Sequence, residues 1–145
     1  MLFGKRKRIV KRILIVEDEP LTAFDNETML SDAGYEVVAT LDTYKAAIEA
    51  LDSEPVDLVL SDVRLSGSRS GIDLAKEAKK RGVPVLFVTG HPPDDCRELV
   101  VGCLLKPYSE RTMRAALKAV DHHLGGDKVR PPKGLELYAL ATGEA

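Results

Sequence analysis

The sequence lacks the cysteine patterns of cross-linked or zinc-binding proteins and the long apolar runs of membrane-spanning ones. Its 145 residues include two cysteines, Cys96 and Cys103, which stand outside CxxC spacing and without a histidine cluster. This pattern suggests neither a disulfide framework nor a zinc site, so we expect both thiols to be reduced. The apolar runs are far shorter than the ~20 residues that cross a bilayer. We therefore predict a globular protein that makes no contact with a membrane.

Two signals that define other protein classes are missing as well. The apolar residues 13–16 follow a basic N-terminus, but Glu17 interrupts them, so the segment is too short for a secretory signal. This favours a cytoplasmic location. The turn after residue 16 is acidic, whereas a dinucleotide-binding enzyme needs the glycine pattern G-x-G-x-x-G there. A dinucleotide-dependent enzyme is therefore disfavoured.

Positive charge is concentrated at the N-terminus. The first twelve residues carry six basic side chains and no acidic one, and since the formal net charge is −2, the remaining residues carry −8. We interpret residues 1–11 as a solvated basic arm. The alternative is an arm that binds nucleic acid or an anionic surface. It is less favoured, because six charges without aromatic side chains among them do not make a nucleic-acid reader, and no nucleic-acid partner is expected.

Short apolar segments alternate with helical segments along residues 12–124. This alternation is typical of βαβ units, in which helices connect buried parallel strands. We predict one α/β domain with a doubly wound, five-stranded parallel sheet in the flavodoxin-like order 2-1-3-4-5. The predicted strands are residues 13–16, 35–39, 58–61, 85–88 and 103–105.

Helices are predicted between these strands from their capping signals. Ser70 and Asp73 have the spacing of a capping box, and Ser109 is placed to cap the last helix. Only residues 90–102 separate the last two strands, and two prolines use part of them. We therefore predict a shortened fourth helix at about residues 95–101.

The composition shifts to glycine and proline beyond residue 124. Residues 125–145 are therefore expected to be a flexible tail rather than part of the domain. The alternative is that residues 135–140 dock on the domain as a short strand or helical turn.

Polar side chains stand where four of the five predicted strands end. Glu17 and Asp18 follow the first strand, Asp62 the third, Thr89 the fourth and Lys106 the fifth. In a sheet of order 2-1-3-4-5 the first and third strands are neighbours, and ligands bind beyond the carboxyl ends of the strands. Each residue alone also fits a cap, a turn or a solvated loop, but the joint placement favours a functional site.

The residue types at these positions indicate phosphoryl chemistry. Three carboxylates in one crevice repel one another and need a cation to offset their charge. Carboxylate oxygens without a thiolate or imidazole suit Mg²⁺, which also binds phosphate oxygens. Lys106 then provides a positive charge for a phosphoryl group, and Thr89 provides a hydroxyl donor. Asp62 is the natural nucleophile of such a site.

Four short motifs stand at these strand ends. They are Ile-Val-Glu-Asp-Glu-Pro at 15–20, Leu-Val-Leu-Ser-Asp at 58–62, Val-Thr-Gly at 88–90 and Leu-Lys-Pro-Tyr at 105–108. Together they resemble the receiver domain of two-component response regulators, over about residues 12–124. The resemblance implies a CheY-like fold in which Asp62 accepts a phosphoryl group from a phosphohistidine of a sensor histidine kinase or a histidine phosphotransfer protein.

The same resemblance implies roles for the other site residues. Glu17 and Asp18 would bind Mg²⁺ together with Asp62, and the backbone carbonyl of Arg64 would complete the metal ligands. Thr89 and Lys106 would sense the aspartyl phosphate. The helix after the first strand would be the face on which the kinase docks.

The sequence departs from the family pattern in two places. The switch aromatic of the family stands three residues before the lysine, where this sequence has Cys103. The segment after Thr89 is also shorter than usual. Residues 84–90 resemble the FAT GUY subgroup of single-domain receivers, which lacks that aromatic too. In the family, the positions of Arg64 and His91 border the phosphoryl group and tune its hydrolysis.

The function expected from these features is that of a stand-alone receiver. It would act by contact with other proteins, as a relay or a phosphate sink, and would catalyse only its own phosphoryl transfer and dephosphorylation. One alternative is a pseudo-receiver, a binding module that does not depend on phosphorylation. A phosphotransferase or phosphatase for metabolites is less favoured, because such enzymes commonly resemble Asp-x-Asp-x-Thr and Arg64 replaces the second acid.

Overall fold

The structure, a computed structural model, describes residues 7–140 of the chain. Its strands are β1 (Arg12–Val16), β2 (Glu36–Leu41), β3 (Leu58–Ser61), β4 (Val85–Thr89), β5 (Gly102–Leu105) and β6 (Leu135–Leu137). Its helices are α1 (Pro20–Asp32), α2 (Tyr44–Ser53), α3 (Gly71–Lys80) and α4 (Glu110–Leu124). The sheet has the order β2-β1-β3-β4-β5-β6; β1 to β5 are parallel and β6 is antiparallel. None of these helices is long and apolar enough to span a membrane.

The central strands are buried on both faces, because helices cover the sheet on both sides. In β1, Ile13 and Ile15 pack in the core that includes α1 and α4, while Leu14 and Val16 pack in the core that includes α2 and α3. This alternation follows from the two-residue period of a strand. The two cores fix the register of the strands and therefore the positions of the residues that follow them.

Side-chain caps set the starts of three helices, and those at Ser70 and Ser109 are the ones that the sequence predicts. Ser70 accepts hydrogen bonds from the N–H groups of Ile72 and Asp73, and the Asp73 carboxylate accepts the N–H of Ser70, which completes the capping box of α3. Thr43 caps α2 and Ser109 caps α4 through their hydroxyl oxygens.

The structure confirms the α/β fold and the order 2-1-3-4-5 of the parallel strands. The short helix predicted at residues 95–101 is wrong: this stretch forms turns, one of which is closed by the Val100 N–H and the Cys96 carbonyl at 3.1 Å. Pro93 holds the backbone of Pro92 extended, and the Val101 N–H already donates to β4 at Val85, 2.8 Å away. Too few residues remain between Pro93 and Val101 for a stable helix.

Both terminal segments pack on the domain where the structure describes them. Val10 is buried, and the N–H groups of Ile9 and Val10 donate to the Asp121 carboxylate at 2.8 and 2.7 Å. In the segment expected to be flexible, Leu135–Leu137 pair with β5 as β6. The predictions of a solvated arm and a flexible tail are therefore wrong for Val10 and for Leu135–Leu137. Residues 1–6 and 141–145 lie outside the described part of the chain.

Candidate functional site

The register between β1 and β3 brings two carboxylates together. Val16 pairs with Ser61, so the residues that follow them, Glu17 and Asp62, leave the sheet side by side. The N–H of Asp62 donates to the carbonyl of Val16 at 3.0 Å, which extends the pairing to the strand ends. The first and third strands are therefore neighbours in the sheet, as predicted.

Glu17, Asp18 and Asp62 form an acidic cluster, in which one carboxylate oxygen of each residue lies within 4.8 Å of the others. Burial raises the pKa of Glu17, and the charge of Asp62 adds to the rise, whereas hydrogen bonds from Glu19 and Lys106 act in the opposite direction. A divalent cation would remove the repulsion among these groups. Because hard carboxylate oxygens are the ligands that Mg²⁺ prefers, the residues present fit this ion.

Lys106 places a positive charge against the acidic cluster. Its Nζ lies 3.0 Å from Oδ2 of Asp62 and 3.1 Å from Oε1 of Glu17. Burial by itself lowers the pKa of Lys106, but the hydrogen bonds and charges of Asp62 and Glu17 outweigh it and raise the pKa. The side chain is therefore a charged ammonium. The peptide bond between Lys106 and Pro107 is cis.

Thr89 and Arg64 lie at the same end of the sheet as the acidic cluster. The Thr89 hydroxyl accepts the N–H of His91 at 3.1 Å and donates to the His91 carbonyl at 3.2 Å. The backbone of Thr89 joins the site, because its carbonyl accepts the Lys106 N–H at 2.9 Å. Arg64 contacts Asp62 through its N–H, 3.3 Å from Oδ1. The metal-binding role of the Arg64 carbonyl stays a prediction.

Gly71 is a positioning residue that the sequence reasoning missed. A Cβ atom at this residue would stand 2.2 Å from the carbonyl oxygen of Asp62 and 2.9 Å from the Cα of Val63. Its N–H donates to the Val63 carbonyl at 2.7 Å. Helix α3 thus begins in direct contact with the backbone of Asp62, and only glycine fits there. The signal available in the sequence was a glycine directly after the Ser70 cap.

A second missed contact ties α1 to the segment after Lys106. The hydroxyl of Tyr108 donates to Oδ1 of Asn26 at 2.6 Å, and Asn26 is buried in α1. Burial raises the pKa of Tyr108, which keeps the phenol protonated. The motif at 105–108 contains Tyr108, but nothing in the sequence indicates a hydrogen-bond partner 82 residues away.

Comparison with known sequences identifies relatives along most of the chain. The family model of the response regulator receiver domain matches residues 13–118. The transcriptional regulatory protein PdtaR of Mycobacterium tuberculosis is 36% identical over 107 residues, which are 70% of this chain and 52% of PdtaR. The phyllosphere-induced regulator PhyR of Methylorubrum extorquens is 38% identical over 82 residues, 55% of this chain and 31% of PhyR. The chain thus spans no more than about half of either relative.

Solved structures resemble the fold over a similar range. The response regulator PhyR from Brucella abortus superposes with a TM-score of 0.68 and 31% identity over 83% of this chain and 51% of PhyR. The receiver domain of the sensor histidine kinase PA1611 from Pseudomonas aeruginosa, solved with a magnesium ion in its active-site cleft, has a TM-score of 0.65 and 25% identity over 75% of this chain and 95% of that domain.

The fold, the acidic cluster and the sequence relatives all indicate the same protein family. The strand order is the one that the resemblance implies, and the motifs at the ends of the first, third, fourth and fifth strands are those that suggested the resemblance. Membership in the FAT GUY subgroup stays a prediction. With a family model that spans residues 13–118, the chain belongs to the response regulator receiver domain family, a class of signalling modules.

Proposed function

We propose that this chain is a phosphorylatable response regulator in which Asp62 accepts a phosphoryl group from a phosphohistidine of a sensor histidine kinase or a histidine phosphotransfer protein. The observation that carries the proposal is the position of Lys106, whose ammonium contacts both Asp62 and Glu17 of the acidic cluster. A carboxylate nucleophile beside a fixed cation suits phosphoryl transfer, because the negative charges of both reactants must be offset.

Two donors hold the Asp62 carboxylate for attack. Lys106 donates to Oδ2 at 3.0 Å, and the N–H of Arg64 donates to Oδ1 at 3.3 Å. In the transfer, a carboxylate oxygen of Asp62 bonds to phosphorus as the phosphorus–nitrogen bond of the phosphohistidine breaks. The bonding pair returns to the imidazole nitrogen, which takes up a proton from solvent, and the three phosphoryl oxygens pass to the aspartyl phosphate.

The residues that would hold Mg²⁺ are Glu17, Asp18, Asp62 and the backbone carbonyl of Arg64. When bound, the ion supplies positive charge against the phosphoryl oxygens. The acidic cluster supports this assignment through its donor set, and the magnesium ion of the PA1611 receiver domain supports it by similarity. Lys106 offsets the charge that remains at the attacking carboxylate.

Thr89 and Lys106 would report the phosphorylated state. In the structure the Thr89 hydroxyl bonds to the backbone of His91, so contact with a phosphoryl oxygen requires it to leave that turn. Lys106 would exchange its bond to Asp62 for one to the phosphoryl group. These exchanged contacts bias the protein between two packings, and signalling follows as a shift in their populations.

The partner surface that we assign lies on α1, directly beside the acidic cluster. Leu21 and Phe24 are 68% and 65% exposed there, and since they stand three residues apart on the helix they form one apolar patch. We assign this face to docking of the kinase or phosphotransfer protein. As a receiver, the chain would act by protein contact, as a relay or a phosphate sink. It would catalyse only its own phosphoryl transfer and dephosphorylation.

The test is phosphorylation by a small phosphodonor, such as acetyl phosphate, followed by intact-protein mass measurement. We expect a mass gain of one phosphoryl group that requires Mg²⁺ and is lost in Asp62→Asn. The matched control is Asp95→Asn, since Asp95 is exposed and lies outside the acidic cluster. Labelling that persists in Asp62→Asn would refute the nucleophile assignment. A wild-type chain that is never labelled would instead fit the pseudo-receiver alternative.

A further inference from the structure

The outer edge of β5 is covered by a segment of the same chain. Strand β6 pairs with β5 through Leu137 opposite Gly102, Glu136 opposite Cys103 and Leu135 opposite Leu104. The pairing continues beyond the strand ends. The Leu105 N–H donates to the Gly134 carbonyl at 2.9 Å, and the Tyr138 N–H donates to the Val101 carbonyl at 2.9 Å. An extended segment therefore occupies the whole edge of β5.

Gly102 shows that β5 is shaped to receive a backbone at this edge. A Cβ atom there would stand 2.2 Å from the carbonyl oxygen of Glu136 and 3.2 Å from a methyl carbon of Leu137. Gly102 is not among the glycines with positive φ, so its backbone does not require glycine. The close approach of β6 is the feature that excludes a side chain here.

Tyr138 is the side chain that anchors the segment. It is buried in the core that contains α2 and α3 and that also includes Cys103, and its hydroxyl lies 3.9 Å from Sγ of Cys96. Its carbonyl oxygen lies 2.6 Å from Nε2 of His123. An aromatic ring delivered by β6 thus fills space beside Cys103, which stands three residues before Lys106.

We propose that the outer edge of β5 is a strand-binding site for an extended peptide with the pattern aliphatic-x-aliphatic-aromatic, which β6 fills in the resting state and which phosphoryl transfer to Asp62 opens. The opening step rests on the proposed function. Such a site binds its ligand through main-chain hydrogen bonds and selects it through the pocket of the aromatic ring. A partner protein with a strand of this pattern would compete with β6 for the edge.

The edge of β5 is connected to the acidic cluster through a single residue. Leu105 pairs with Thr89 on one side and donates to Gly134 on the other. The next N–H, of Lys106, donates to the Thr89 carbonyl at 2.9 Å. Phosphoryl transfer to Asp62 replaces the contact between that carboxylate and the Lys106 ammonium, now 3.0 Å, and the opening step is a shift of this strand end as Lys106 follows the phosphoryl group. The register of β6 fits the unshifted strand, and the shift weakens its pairing.

The probe is a fluorescent synthetic peptide of residues 133–140, titrated into the full-length chain and followed by fluorescence anisotropy. In the wild type, β6 competes at high effective concentration, so we expect weak binding. Tyr138→Ala removes the anchor of the competing strand and should tighten peptide binding by about tenfold or more. Phosphorylation of the wild type should act in the same direction. Gly102→Ala places a Cβ in the site and should abolish binding with or without phosphorylation.

Circular dichroism and intact mass check that each variant is folded and phosphorylated. If Tyr138→Ala does not fold, Glu136→Pro disrupts the pairing of β6 while the ring is retained, and the same tightening is expected. Equal peptide affinity in the wild type, the β6 variants and Gly102→Ala would overturn the strand-binding site. Phosphorylated wild type that binds the peptide no more tightly would overturn the opening step. If the chain is not phosphorylated, the proposed function and the opening step are both contradicted. The peptide affinities of the variants would still show whether the edge of β5 is a strand-binding site.

Discussion

Glu17 and Asp121 are both buried carboxylates, each 4% exposed, and their surroundings are opposite. Asp121 accepts two backbone N–H groups, from Ile9 and Val10, which tie the N-terminal segment to α4. Glu17 lies beside two other carboxylates, and although the Lys106 ammonium contacts it at 3.1 Å, burial and the charge of Asp62 raise its pKa. A carboxylate satisfied by fixed backbone donors stabilises the fold, whereas one held among like charges costs stability that a bound cation would restore.

The largest expected effect is the loss of the satisfied carboxylate. Asp121→Ala leaves the N–H groups of Ile9 and Val10 without this acceptor, so we expect a loss of about 3 kcal/mol in the free energy of unfolding. Urea unfolding measures it. The matched variant is Asp57→Ala, since Asp57 accepts the N–H groups of Lys11 and Arg12 at 2.9 and 2.8 Å in a less buried place. A loss there as large as in Asp121→Ala would contradict the role of burial.

The second variant tests whether backbone packing holds the acidic cluster together. Gly71→Ala forces its Cβ against the Asp62 carbonyl, 2.2 Å away, so the start of α3 or Asp62 must move. We expect a loss of about 2 kcal/mol in the free energy of unfolding and weaker Mg²⁺-dependent phosphorylation. Gly90→Ala is the control, because its Cβ would meet no atom within 4 Å. Phosphorylation unchanged in Gly71→Ala would show that Asp62 tolerates the shift.

The residues of the acidic cluster were predictable because they directly follow continuous apolar strands. The strands β1 and β3 are read from short apolar runs, and their adjacency in an α/β sheet then brings Glu17 and Asp62 together. The partners of Asp121 were not predictable, since Ile9 and Val10 are 112 and 111 residues away and α4 reads locally as an ordinary amphipathic helix. Long-range contacts of single polar groups leave no periodic signal in a sequence.

The C-terminal segment shows the same limit for backbone pairing. Residues 135–140 were compatible with a strand, a helical turn or disorder, because three paired residues are too few for a pattern of period two to decide. Their partner strand lies more than 30 residues earlier, and the fit depends on Gly102, whose lack of a side chain has many possible reasons. The rotamer that places the Thr89 hydroxyl on the backbone of His91 is likewise a local feature that strand periodicity does not predict.

A smaller effect of opposite sign is expected from removing a charge in the acidic cluster. Asp18→Asn relieves repulsion with Glu17 and Asp62, so without Mg²⁺ we expect a gain of about 1 kcal/mol in the free energy of unfolding. The variant should also lose the stabilisation that Mg²⁺ gives the wild type. Thermal unfolding in EDTA and in MgCl₂ measures both. The exposed Asp25 of α1 supplies the control, and a gain in Asp25→Asn as large as in Asp18→Asn would mean that net charge alone is responsible.

The smallest effect is a pH dependence that comes from Glu17. The folded pKa of Glu17 lies above the value of 4.5 of an unperturbed glutamate, so the folded state binds the proton more tightly than the unfolded state. Ionised Glu17 therefore destabilises the fold above its raised pKa, and this cost disappears as the pH falls below the unfolded value. Glu17→Gln resembles the protonated carboxyl at every pH. In urea unfolding without Mg²⁺, its gain over the wild type should be present at about pH 7 and vanish near pH 4, whereas a gain that grew towards acid would reverse the assigned sign.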